Sequence, residues 1–193
     1  MVRALVAALV VAVSSAAAGS GAFHVVTRHR DYTITGTTAV ALRDAMDRLG
    51  PIDPPTGKRF DARTNWHIDW RYSYSQPAGK CSLVRTNVTV TVTVTYIFPM
   101  WHPGTGAASG LAARWSRYMT ALRRHESGHA NDAIATGHRI LRDIDGLAPA
   151  ASCTALGSRA DTVANADIKR ANAWDVSYDR RTDHGATQGA VFP

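Results

Sequence analysis

Residues 125–129 read His-Glu-Ser-Gly-His, and that spacing commits the chain around them to a helix. On a helix, positions i and i+4 share a face, so two imidazoles at this spacing can approach one ion. Glu126, between them, is the only glutamate in 193 residues; every other acid is an aspartate. Trp115, Tyr118, Met119, Leu122, His125, Glu126, His129, Ala133 and Ile140 fall along one stripe. That stripe predicts a long helix over 108–144 with the HExxH pattern on its inward side. Gly137 is expected to kink or loosen it. Gly146 and Pro149 close it.

Upstream the period changes to two. Trp66, Ile68, Trp70, Tyr72 and Tyr74 alternate with Asn65, His67, Asp69, Arg71 and Ser73. In Cys81–Phe98, Val88, Val90, Val92 and Val94 alternate with Thr89, Thr91, Thr93 and Thr95. Such alternation predicts two half-buried strands, which Pro77-Ala78-Gly79 joins as an antiparallel hairpin. Residues 23–35 read as one or two further strands. A short helix follows, capped by Thr37 or Thr38 and stopped by Gly50-Pro51. A last helix is expected over 158–174, then an irregular polar tail over 175–193. The fold class is therefore α+β: a small antiparallel sheet packed on a long HExxH-bearing helix, with one or two further helices.

The first 22 residues have a positive start at Arg3, an apolar run from Ala4 to Val13 and small residues up to Ala22. This is the pattern of a signal peptide. The apolar run is shorter than the roughly 20 residues a span needs, so no stable membrane span is expected after cleavage. Residues 23–193 then form one domain, exported to the periplasm or secreted. Cys81 and Cys153 are the only cysteines; an even pair in an exported chain reads as one disulfide. The net charge of +7 is carried by scattered arginines, with no basic run or nucleic-acid motif.

A catalytic zinc site takes three protein ligands and keeps one open position. His125 and His129 supply two. No second glutamate exists to be the third, and Asp132 and Ala135 replace the glycine and histidine of the extended HExxHxxGxxH pattern. His138 lies too far along the same helix axis. His184, in the polar stretch Tyr178-Asp179-Arg180-Arg181-Thr182-Asp183-His184-Gly185, is the expected third ligand, with Asp179 and Asp183 as alternatives. Asp132 or Asp179 is placed to accept the second N–H of a ligand histidine. Tyr178 is a candidate donor to a developing oxyanion.

The chain also resembles a bacterial family of unknown function described as predicted secreted Zn-dependent proteases, over nearly all of the mature length. The resemblance rests on Tyr32-Thr33-Ile34-Thr35-Gly36-Thr37-Thr38, Gly50-Pro51, Thr64-Asn65-Trp66 with Trp70, and Cys81. The Val/Thr strand, HExxH, Cys153, Tyr178-Asp179-x-x-Thr182-x-His184-Gly185 and Thr187-Gln188-Gly189-Ala190 complete it. It implies a minimal zincin-like domain and that Asp179, Thr182 and His184 belong to the site.

These readings converge on a zinc-dependent peptidase acting on a peptide or protein, with Glu126 as general base toward the attacking water. The strand Cys81–Phe98 is the candidate for holding an extended substrate by strand addition. The alternative is a non-catalytic exported zinc-binding or interaction domain.

Overall fold

The computed structural model describes residues 21–54 and 56–192, so most of the expected signal peptide lies outside the described residues. The chain runs β1 (Ala22–His29), β2 (Tyr32–Thr35), α1 (Ala39–Leu49), β3 (Arg63–Arg71), β4 (Tyr74–Ser75) and β5 (Ser82–Leu83). It continues β6 (Thr89–Ile97), β7 (Pro99–His102), α2 (Leu111–Asp145) and α3 (Cys153–Thr182). The α+β class stands, with a small sheet packed on the long helix.

The Trp/Ile and Val/Thr segments pair antiparallel as expected, with Ile68 opposite Val92 and Trp66 opposite Val94. Two features were not foreseen. The Cys81–Phe98 segment is interrupted by a 3-10 turn at Arg85–Asn87, so its continuous strand is β6. The first strand joins the sheet in parallel, giving the order β1-β6-β3. Alternation shows which side of a strand is buried and says nothing of its neighbours. The consequence matters for function: β6 is paired along both edges and has none left for a substrate strand, while β1 and β3 are the edge strands and β3 is the one that lines the cleft.

Val88, Val90, Val92 and Val94 are at most 1 % exposed and pack on Ala130, Ala133, Ile140 and Ile144 of α2. A Cβ at Gly137 would lie 2.4 Å from Val92 Cγ2. Gly137 therefore does not break α2, which is unbroken there; it lets β6 approach the helix backbone. A second cluster joins α1, β2 and the start of α2 through Leu42, Met46, Ile34, Tyr118 and Phe192. Between α1 and β3, Asp61 accepts from Arg43 and, at 2.5 Å, from the Tyr118 hydroxyl, which fixes one wall of the cleft described below.

Helix α3 runs antiparallel to α2. Its Arg159 reaches the carbonyl of Ala148 near the connection, its Asp167 pairs with Arg139, and its Tyr178 covers Gly128. A Cys81–Cys153 disulfide, closing a separation of 72 residues, fastens the start of α3 to the sheet side. Closing a loop of that length is worth about 4 kcal/mol in the chain-entropy picture. No helix among the described residues is long and apolar enough to cross a membrane.

Candidate metal centre

The inward stripe of α2 carries His125, Glu126 and His129 into the interior, at 3 %, 5 % and 8 % exposure. Opposite them, α3 presents Asp175, Tyr178 and Asp179. The polar tail expected from residue 175 is helix as far as Thr182, so Asp175 and Asp179 stand one turn apart on one face. They mirror the i, i+4 spacing of the two histidines across the helix pair.

The arrangement converges on one oxygen. His125 Nε2 is 3.2 Å and His129 Nε2 is 3.0 Å from Asp179 Oδ1. These are close to the separations of about 3.3 Å between ligand atoms around a tetrahedral zinc with bonds of about 2.0–2.1 Å. Among the described residues this is the only group of three such ligand atoms lying within 4.8 Å of one another. The outer ring nitrogens are also held. His129 Nδ1–H donates to Asp175 Oδ1 at 2.7 Å, and Asp175 Oδ2 accepts Trp66 Nε1–H from β3 at 2.7 Å. His125 Nδ1 meets Gln188 Oε1 at 3.0 Å. Outer partners of this kind orient a ligand histidine and leave Nε2 to face an ion. The donor set, two imidazoles and a carboxylate, suits zinc.

His184, expected as the third ligand, is not one of the three. Its side chain is about half exposed at the cleft rim, Nδ1 is 3.9 Å from Asp179 Oδ2, and the ring leans on Phe60. The reason is the longer helix: α3 brings Asp179 inward before the chain turns. Asp183 caps α3 on its exposed side, in left-handed backbone shared with His184. Asp179, the alternative, is the residue that lies beside both Nε2 atoms. Asp132 does not accept from His129; Asp175 does, and Asp132 Oδ2 is left without a partner.

Tyr178 also has a different place from the expected one. Its ring stacks on His125 (5.0 Å, 8°) and on Trp174 (4.7 Å, 14°), behind the ligand plane. Its hydroxyl accepts from Gln188 Nε2 and donates to the His125 carbonyl oxygen at 3.3 Å. It points along the backbone of α2, and Tyr178 does not line the cleft. A Cβ at Gly128 would lie 2.3 Å from this hydroxyl, and a Cβ at Gly185 would lie 2.9 Å from His125 Cγ. Both glycines let neighbouring groups press on the motif.

Glu126 Oε2 accepts from Thr64 Oγ1 on β3 at 2.6 Å. Burial pushes the Glu126 carboxyl up from its ordinary value, against the Thr64 hydrogen bond and the nearby histidines. For His129, burial disfavours the charged ring, but the Asp175 and Asp179 carboxylates outweigh it and raise the imidazole to about 10. For Asp179, burial works against the carboxylate, while hydrogen bonds from His125 and His129 overcome it and hold the group well below the usual carboxylate range. His129, so raised, is clamped between two aspartates.

The three residues open on a cleft of about 900 Å³, walled by Phe60, Arg59 and Ala62 on one side and Val176, Arg180 and His184 on the other. A polar groove of about 490 Å³ adjoins it. Consecutive residues Arg63 to Ile68 line it, as a strand edge does, and Asn165, Ile168 and Asn172 of α3 form its far wall. The two cavities share Arg63, Thr64 and Asp175.

Thr64, Trp66, Asp175 and Gln188 had no assigned role in the sequence. Asp175 carried a spacing signal, i, i+4 to Asp179, and Thr64, Trp66 and Gln188 stood out only within the family resemblance.

The family model for "Bacterial protein of unknown function (DUF922)" matches residues 29–185, and the chain belongs to that family. No curated protein and no solved structure matches it.

Proposed function

We propose that this member of the DUF922 family is an exported zinc-dependent peptidase, with His125, His129 and Asp179 as metal ligands and Glu126 as general base. The observation that carries the reading is the convergence of both Nε2 atoms on Asp179 Oδ1, beside a buried glutamate. Zinc bound there would act as a Lewis acid that lowers the pKa of water toward neutrality and polarises a carbonyl. The protein's own part follows from its geometry. Asp175 and Gln188 hold the two rings. Glu126 takes a proton from the attacking water and returns it to the leaving amine. The free edge of β3, running from the groove into the cleft, offers unpaired backbone groups to an extended peptide; it replaces β6 as the docking strand. The amino-terminal signal pattern and the Cys81–Cys153 disulfide support an exported setting.

Three converging ligand atoms favour this reading over the non-catalytic alternative, because a closed structural site takes four. The test is zinc content by elemental analysis together with release of fluorescent peptides from fluorescein-labelled casein. One zinc per chain with cleavage that Glu126→Gln lowers by about 10²- to 10⁴-fold supports the peptidase. One zinc with no cleavage of casein or of short peptides returns the alternative.

A further inference from the structure

We infer that Thr64 is the positioning residue for Glu126, holding its carboxylate so that one chosen oxygen faces the cleft. The inference rests on the proposed role of Glu126 as base. A glutamate on a helix has three side-chain torsions, and the last is broad, so nothing in α2 itself fixes the carboxylate plane. Thr64 does. Its Oγ1 is 2.6 Å from Glu126 Oε2 and 3.1 Å from the Glu126 carbonyl oxygen. A threonine hydroxyl has one proton. The shorter contact is to the carboxylate, and a hydrogen bond to a charged acceptor is the stronger.

The hydroxyl is itself well anchored. Thr64 is β-branched and stiff at χ1, and its backbone is paired opposite Tyr96 of the central strand. The sheet therefore sets the donor and the helix carries the acceptor, 62 residues apart in sequence. Glu126 Oε1 receives no hydrogen bond from the described residues and is the oxygen left to exchange a proton. Thr64 also lies on the edge strand that lines both cavities. A peptide added to β3 would thus pair with the same strand that orients the base.

Thr64→Val keeps the shape and removes the hydroxyl; Thr64→Ser restores it. At saturating labelled casein the valine variant is expected to lose about 10- to 100-fold in rate with zinc content unchanged, since displacing a reacting group by about 1 Å costs on that order. The serine variant should stay within about threefold of wild type. In a Glu126→Gln background, Thr64→Val should add no further loss, because residues acting as one unit are not additive.

A second measurement does not depend on turnover. Glu126 is the only glutamate, so protein labelled with 13C-glutamate gives one side-chain carboxyl resonance. At fixed pH it should move in Thr64→Val and return in Thr64→Ser. An unmoved resonance, or a valine variant as fast as wild type, overturns the inference. So does a further rate loss in the Glu126→Gln background. If wild type cleaves nothing, the peptidase reading falls and the resonance alone decides the Thr64 assignment.

Discussion

Helices α2 and α3 lie side by side, each giving an i, i+4 pair to the same centre, yet only one of them could be read in advance. In α2 the pair His125/His129 continues a stripe of large apolar residues from Tyr118 and Leu122 to Ile140 and Ile144. In α3 the buried positions are Leu156, Gly157, Ala160, Ala164, Asp167 and Ala171. Their spacing is as helical as that of α2 and leads directly to Asp175, Tyr178 and Thr182. What α3 lacks is hydrophobic contrast. Its inward side is made of small residues that let the helices approach, then of the acids that face the site. A periodicity judged by apolarity fades where a buried side turns polar for function. That is why the last helix was expected to stop at Trp174 and why the third ligand was sought in a loop.

The largest test of this pairing is metal content. Asp179→Ala on α3 should lose zinc as fully as His125→Ala on α2, while His184→Ala should keep close to one zinc per chain; elemental analysis of the three decides it. Zinc lost in His184→Ala and kept in Asp179→Ala would return the third ligand to the rim and uncouple α3 from the centre. Next in size, Glu126→Gln should keep zinc and lose about 10²- to 10⁴-fold in casein cleavage, the usual range for removing a general acid–base group. Near-normal turnover in that variant would leave α2 a ligand role only.

A smaller effect probes the contact between the helices. Gly128→Ala brings a Cβ to within 2.3 Å of the Tyr178 hydroxyl. Moving a ring stacked on both Trp174 and His125 should cost about 1–3 kcal/mol by overpacking, against a helix-propensity gain of about 1 kcal/mol. Urea melts of Gly128→Ala and Gly128→Ala/Tyr178→Ala should show the penalty shrinking in the pair relative to Tyr178→Ala alone. An additive penalty would separate Tyr178 from the motif helix.

Other parts of the molecule divide along the same line. The alternating strands announced β3 and β6 because each has one wet and one buried side. The parallel docking of β1 was silent, since β1 shows little burial contrast along most of its length. HExxH announced the buried group His125, Glu126 and His129. The contacts of Gln188 and Thr64 were silent because these residues touch motif atoms from distant elements, and one-dimensional spacing does not encode such contacts.

The finest test uses the charge balance between the helices. In the metal-free protein, α3 supplies both carboxylates that hold His129 in its charged form up to about pH 10; Glu126 and His125 flank it on α2. A ligand imidazole must be neutral, so zinc has to displace a proton from His129. Below about pH 10, apparent zinc affinity should therefore rise about tenfold per pH unit from this group alone. Metal-free stability moves the other way. The raised His129 stabilises fully below its unfolded value of about 6.5 and loses that contribution as pH climbs through about 10. Glu126, pushed up by burial, adds to the decline above about 4.5, whereas the lowered Asp179 contributes above about 3.8 and fails only in stronger acid. The gain in melting temperature on adding zinc should accordingly grow between pH 6 and pH 9, by calorimetry with and without metal. In Asp175→Asn, which removes one clamping charge, the growth should flatten. A gain independent of pH in the wild type would mean that α3 does not hold His129 charged, and that the two helices meet at the centre without electrostatic coupling.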